Sequence, residues 1–329
     1  MTQRINYIDR MKGLAILIVV FAHVYLFTFD MGDTLVYKFC ASFEMPLFMF
    51  ISGFVAYLAP NLGGAISKKL KRRFFSYLFP AFVVTYALSL FGYLVLGNRD
   101  IDVVATLIGG LWYLKALAIF VCLQAIVVRF KHLYGELAFI AVLECLFFVG
   151  WKTVPFLHQL FCLEHCFFFY PFFMLGYYFR RYKLVECLER KNWIFTISLI
   201  AFICLLNVDF AFHPLRFLSE RIVRPTCSIL VITYLFAKRE NEENKLERWL
   251  NVIGTKTLDI YMYHGSFLLG AYSCFDLKVF KQDALMQSNP ITYILLALVI
   301  TLFLTYLSIY IGVLVKKSDF LGKIVYGKF

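Results

Sequence analysis

Charge is what this sequence has least of. Asp, Glu, Lys and Arg make up 16% of 329 residues, while hydrophobic residues reach 61%; soluble globular domains carry roughly 25% charged residues. No water-soluble fold of this length could hide so much apolar surface, so a soluble enzyme is excluded. The same excess excludes a disordered chain. With 18 Gly and 8 Pro the chain has too little of either for collagen. It has no repeat of about 20–50 residues, no low-complexity tract and no linker long enough to hide a second domain. The nine cysteines fall mostly inside apolar runs, where they act as small hydrophobes rather than as a disulfide scaffold. What is abundant is aromatic, with 38 Phe and 21 Tyr. The chain reads as a membrane protein folded as one transmembrane domain over residues 1–329.

A spanning helix needs roughly 20 mainly apolar residues. Ten segments approach that: 14–29, 39–59, 77–96, 104–128, 137–150, 163–179, 193–206, 226–237, 250–272 and 290–315, the fifth, seventh and eighth being short. The net charge of +12 would suggest nucleic acid in a soluble chain. In a polytopic one it reports which loops face the cytoplasm. With ten spans, 23 of the 33 Lys and Arg fall on the side shared by the two termini and 8 on the other, Lys115 and Lys256 lying in or beside spans. Both termini are therefore expected in the cytoplasm, with the protein in the cytoplasmic (inner) membrane and no nucleic acid among its partners. The first apolar run follows basic residues as a signal peptide would. Asp30-Met31-Gly32-Asp33 after it offers no cleavage site, so an uncleaved helix is expected.

Ionisable side chains inside spans are costly and mark functional interiors. They are His23, Glu44, Lys115, Glu144, Asp259 and His264. Lys12 stands at the cytoplasmic mouth, and His23 eleven residues on lies about 16 Å deeper at helical rise. An imidazole there can act as a general base near neutral pH; the alternative is a neutral histidine hydrogen-bonded between helices. The five cations from Lys68 to Arg73 can bind phosphates or simply express cytoplasmic topology. His158, Cys162, His165 and Cys166 have a helical spacing that zinc would tolerate.

The opening Arg4-Ile5-Asn6-Tyr7-Ile8-Asp9-Arg10-Met11-Lys12-Gly13-Leu14-Ala15-Ile16, with His23 after it, resembles the first helix of the acyltransferase-3 family, whose hallmark is Arg or Lys, ten residues, then His. Phe43-Glu44-Met45-Pro46-Leu47-Phe48 with Ser52-Gly53 following, Leu111-Trp112-Tyr113-Leu114-Lys115, and Ile253-Gly254-Thr255-Lys256-Thr257-Leu258-Asp259-Ile260-Tyr261-Met262-Tyr263-His264 resemble three further segments of its fucose 4-O-acetylase-like branch. Two positions depart from that pattern. Glu44 stands where the branch usually has His, and the pair Arg-x-x-Arg is absent ahead of Pro80 because Ser76 stands three residues after Arg73.

The resemblance implies an all-α bundle of about ten spans. It implies transfer of an acetyl or other acyl group from cytoplasmic acyl-CoA to a hydroxyl of a saccharide or glycan, with no bound cofactor and no metal. Carried over by position, His23 is general base or acyl carrier, with Lys12 and Asp9 beside it. Arg72, Arg73 and Lys69 are donor-phosphate ligands. Glu44, Ser52, Trp112, Tyr113, Lys115, Tyr263 and His264 are cavity or acceptor residues. From the residues alone, a transporter or flippase for a glycan or lipid-linked sugar uses the same buried charges, and oligomeric state stays open.

Overall fold

Helix is the only regular structure among the described residues, as a chain in hydrocarbon must satisfy every backbone group internally. The computed structural model describes residues 5–57, 65–94, 111–130, 132–206, 208, 210–242, 244–274 and 290–326; the side chains of 65–70, 88–89, 91–93, 266, 269–274 and 290 lie outside the description. In chain order the helices are α1 (Asn6–His23), α2 (Leu35–Ala41), α3 (Glu44–Ala56), α4 (Ala65–Leu94), α5 (Trp112–Val127), α6 (Leu133–Thr153), α7 (Pro155–Phe161) and α8 (Leu163–Arg181). They continue as α9 (Leu184–Arg190), α10 (Asn192–Leu206), α11 (His213–Leu218), α12 (Arg224–Lys238), α13 (Lys245–Gly254), α14 (Thr257–Cys274), α15 (Pro290–Lys317) and α16 (Asp319–Tyr326). Single π turns follow α1 at Val24–Thr28 and α11 at Ser219–Val223.

Among the described residues four helical runs are long and apolar enough to cross a membrane: Asn6–Thr28, Leu35–Ala56, Leu133–Thr153 and Ile291–Lys317. A fifth arises if α7 and α8, bent by 47°, act together. The bend is made at Cys162, whose φ of 53° redirects the chain between the two helices. The α15 helix shows what solvent these runs are built for. Ala297, Thr301, Thr305 and Ser308 are buried, while Ile291, Leu295, Val299 and Phe303 are outside. Small and hydroxyl-bearing residues inward with large apolar ones outward is the pattern of a membrane helix. The protein is a multi-pass membrane protein.

The described chain divides into two units, Met1–Ile51 with Tyr178–Gly312, and Ser52–Tyr177 with Val313–Phe329, so α3, α8 and α15 each contribute to both. In the first unit α1 packs against α12, α13 and α14, and α12 against α9 and α10. Two glycines set the α1–α13 crossing. A Cβ on Gly13 would strike the Leu250 carbonyl, and one on Gly254 the Asp9 carbonyl. Arg10 secures the same contact, donating to the carbonyls of Arg239 at 2.7 Å and Glu242 at 2.8 Å and facing the Glu247 carboxylate at 3.4 Å. Asn244 caps α13 by accepting from the Glu247 N–H at 2.8 Å. The second unit packs α5 and α16 against α4 and α7 against α6. There a Cβ on Gly53 of α3 would strike the Phe173 carbonyl of α8.

Candidate functional site

The α1 helix carries three of the expected residues on one structural rail. Its run of Leu, Ile, Val and Ala favours burial, and eleven residues is about three full turns, so Lys12 and His23 share a face. Lys12 Nζ donates to Asp9 Oδ1 at 2.9 Å, a pairing that i,i+3 spacing allows. Asp9 is buried and Lys12 partly exposed. His23 is the last α-helical residue, and the π turn begins at the next one. Such turns place an extra residue in the helix and recur at functional sites.

His23 is half-buried and meets His264 of α14. Its Nδ1 lies 3.0 Å from His264 Nε2, and His264 Nδ1 lies 2.8 Å from the Ile260 carbonyl oxygen. The ring planes differ by 12° and the centroids are 5.2 Å apart. A separation that large with so short a nitrogen–nitrogen distance means rings edge to edge in nearly one plane. The Phe27 ring flanks His23 at 5.5 Å. Nearby on α14, Tyr263 is buried, and Asp259 is buried so closely against α15 that a Cβ on Gly312 would come within 2.5 Å of its carboxyl carbon. Glu44 begins α3, buried, with no hydrogen-bond partner for its Oε2 among the described residues.

In the second unit Ser52 Oγ and Tyr113 Oη are 2.7 Å apart. Trp112 stacks on His165 at 4.0 Å and on Phe169 at 5.3 Å, so this indole is engaged with α8. Lys115, one helical turn on from Trp112, is buried. Arg73, expected as a phosphate ligand, spends its guanidinium on the end of α3. Nη1 donates to the Ala56 carbonyl at 2.7 Å and Nη2 to that of Val55 at 3.4 Å. Arg72 is exposed. Lys69 lies on α4, its side chain outside the described residues. His158 faces Glu164 at 4.0 Å while His165 lies under Trp112. Among the described residues no three His, Cys, Asp or Glu side chains are grouped to hold a metal.

The model of an acyltransferase domain, acyltransferase-3, matches residues 5–310, across both units. The chain belongs to the acyltransferase-3 family. No curated protein and no solved structure matches it. Family membership makes the chain a membrane acyltransferase and decides against the transporter reading.

In this acyltransferase the sequence left three features of the site unread. One is the Ile260 carbonyl under His264, which the i,i+4 spacing of a helix could have suggested. The second is the π turn after His23, for which the sequence carries no signal. The third is Arg10, counted as one more cytoplasmic charge, which instead ties α1 to the segment ahead of α13. Chemically, the first unit offers two imidazoles sharing one hydrogen bond, able to take up, hold and return a proton.

Proposed function

We propose that this acyltransferase moves an acetyl group from cytoplasmic acetyl-CoA to a hydroxyl of a saccharide or glycan acceptor, in the manner of the fucose 4-O-acetylase-like branch. The observation that carries this is His23, held at 3.0 Å from His264 on the face of α1 that also bears Lys12. His23 takes the proton of the acceptor hydroxyl as its oxygen attacks the thioester carbonyl. The C–O bond forms, the C–S bond breaks, and the CoA thiolate receives the proton back from the imidazolium. A thiolate is a good leaving group, so one well-placed base suffices. Lys12, fixed by Asp9, holds the donor at the cytoplasmic mouth. Arg72, exposed beside the exposed Lys71, contacts donor phosphates. About ten spans with cytoplasmic termini in the inner membrane fit this chemistry, because the donor is cytoplasmic and the basic loops face that side.

The test uses purified protein in detergent with acetyl-CoA labelled on its acetyl group. Release of CoA and label on protein are followed with and without cell-envelope glycan. Glycan-dependent release is expected, falling about 10²–10⁴-fold in His23→Ala, the usual worth of a general base. Label retained on wild type without acceptor, and absent from His23→Ala, would favour His23 carrying the acyl group itself. Release at the wild-type rate from a folded His23→Ala protein would sink the assignment.

A further inference from the structure

The proton positions in the histidine pair follow from what surrounds it. The Ile260 carbonyl oxygen can only accept, so the nitrogen 2.8 Å away, His264 Nδ1, carries a proton. His264 is 2% exposed, and a second proton on it would bury a cation at high cost. Its ring is therefore neutral, and its Nε2 presents a lone pair. Facing that lone pair at 3.0 Å, in nearly the same plane, is His23 Nδ1. Two lone pairs would repel, so His23 Nδ1 carries the proton and donates along the lone-pair direction. One proton is left for each ring, and each is spoken for.

We infer that His264 is a positioning residue that fixes His23 as its Nδ1–H tautomer, leaving Nε2 as the atom that takes the acceptor's proton. This rests on His23 being the base. Ile260 O, His264 and His23 form a one-way chain of hydrogen bonds whose open end is His23 Nε2. When Nε2 takes a proton, the ring becomes an imidazolium whose Nδ1–H bond to His264 is charge-assisted and stronger. The proton then leaves from Nε2 to the thiolate, and the chain is restored without His264 touching substrate. An orienting partner of this kind selects the tautomer and holds the ring angle, and losing it slows chemistry rather than binding.

The experiment is nitrogen NMR of the full chain in detergent, labelled at histidine. Wild type is compared with His264→Gln and His264→Phe, and His23→Gln assigns the His23 signals. In wild type His23 is expected to show a protonated Nδ1 and a bare Nε2. In His264→Phe, which fills the space but accepts nothing, a tautomer mixture is expected, with kcat down about 10²-fold and KM for acetyl-CoA little changed. His264→Gln, whose amide oxygen can accept from Nδ1–H, should recover most of that loss. A wild-type His23 protonated at Nε2 and bare at Nδ1 would overturn the inference. So would a His264→Phe protein with unaltered tautomer and kcat. Should that variant not fold, the wild-type spectrum alone decides. The spectrum needs no turnover, so an active His23→Ala protein would refute the base itself and be told apart from failure of the relay.

Discussion

Replacing Gly254 by alanine tests how α1 is held. The new Cβ would fall on the Asp9 carbonyl oxygen, 2.6 Å from its carbon and 3.1 Å from the Gly13 nitrogen. All three are backbone atoms, so no side chain can swing aside and the two helices must separate. Overpacking of this kind costs about 1–3 kcal/mol. Alanine returns up to about 1 kcal/mol of helix propensity, less at the last residue of a helix. The net loss expected is about 1–2 kcal/mol, read as a lower melting point in one fixed detergent. Activity should fall further than stability does, because a shift of about 1 Å in a positioned group can cost about 10²-fold. Gly265→Ala is the control. Nothing among the described residues lies within 4 Å of its added Cβ, so only propensity acts and the protein should melt at or above wild type. A Gly254→Ala protein as stable as wild type, beside a Gly265→Ala protein that gains nothing, would refute the argument.

Arg10→Met leaves the Glu247 carboxylate buried without its cation, and breaking such a pair costs about 3–5 kcal/mol; the Arg10→Met/Glu247→Met double variant should melt well above the single one. Arg73→Ala is expected to lower the melting point, since two capping bonds at the end of α3 go at about 1 kcal/mol each. Arg72→Ala should leave melting unchanged and raise KM for acetyl-CoA, so equal effects of the two on KM would argue against the division of labour. Tyr113→Phe removes the bond to Ser52 and should cost about 0.5–1.5 kcal/mol; in a double-mutant cycle with Ser52→Ala the two losses should be less than additive.

What could be read from the chain, and what could not, divides by distance along it. Local features were legible. The span expected at 290–315 is found as Pro290–Lys317, and the Asp9–Lys12 pair follows from its spacing. The single span expected at 250–272, by contrast, is broken at Thr255 and Lys256 into α13 and α14, and residues 104–110 of the one expected at 104–128 lie outside the described residues. The span expected at 137–150 is in fact Leu133–Thr153. A hydropathy window trims ends that carry Tyr134, Trp151 and Lys152, which are the residue types that sit at a membrane interface. Partners far apart in sequence were not legible. His23 and His264 are 241 residues apart, and their chemistry together depends on a crossing of α1 and α14 that spacing cannot supply. Arg73 shows a different limit. A cation that caps a helix end and one that awaits a phosphate look the same in a basic run, and only the Val55 and Ala56 carbonyls tell them apart.

The π turn at Val24–Thr28 closes the helical run that begins at Asn6, and the chain turns away after it at Phe29 and Asp30. Each extra residue in a helix rotates all that follows by about 100°. The stretch before the turn can therefore be phased by Gly13 and Asp9 against α13, while Phe29 just after it is placed against the Tyr293 ring. The angle at which His23 emerges need not compromise with the packing of the outer end. Chain length could be adjusted at this point by one residue without turning the imidazole, which is not true anywhere between Lys12 and His23.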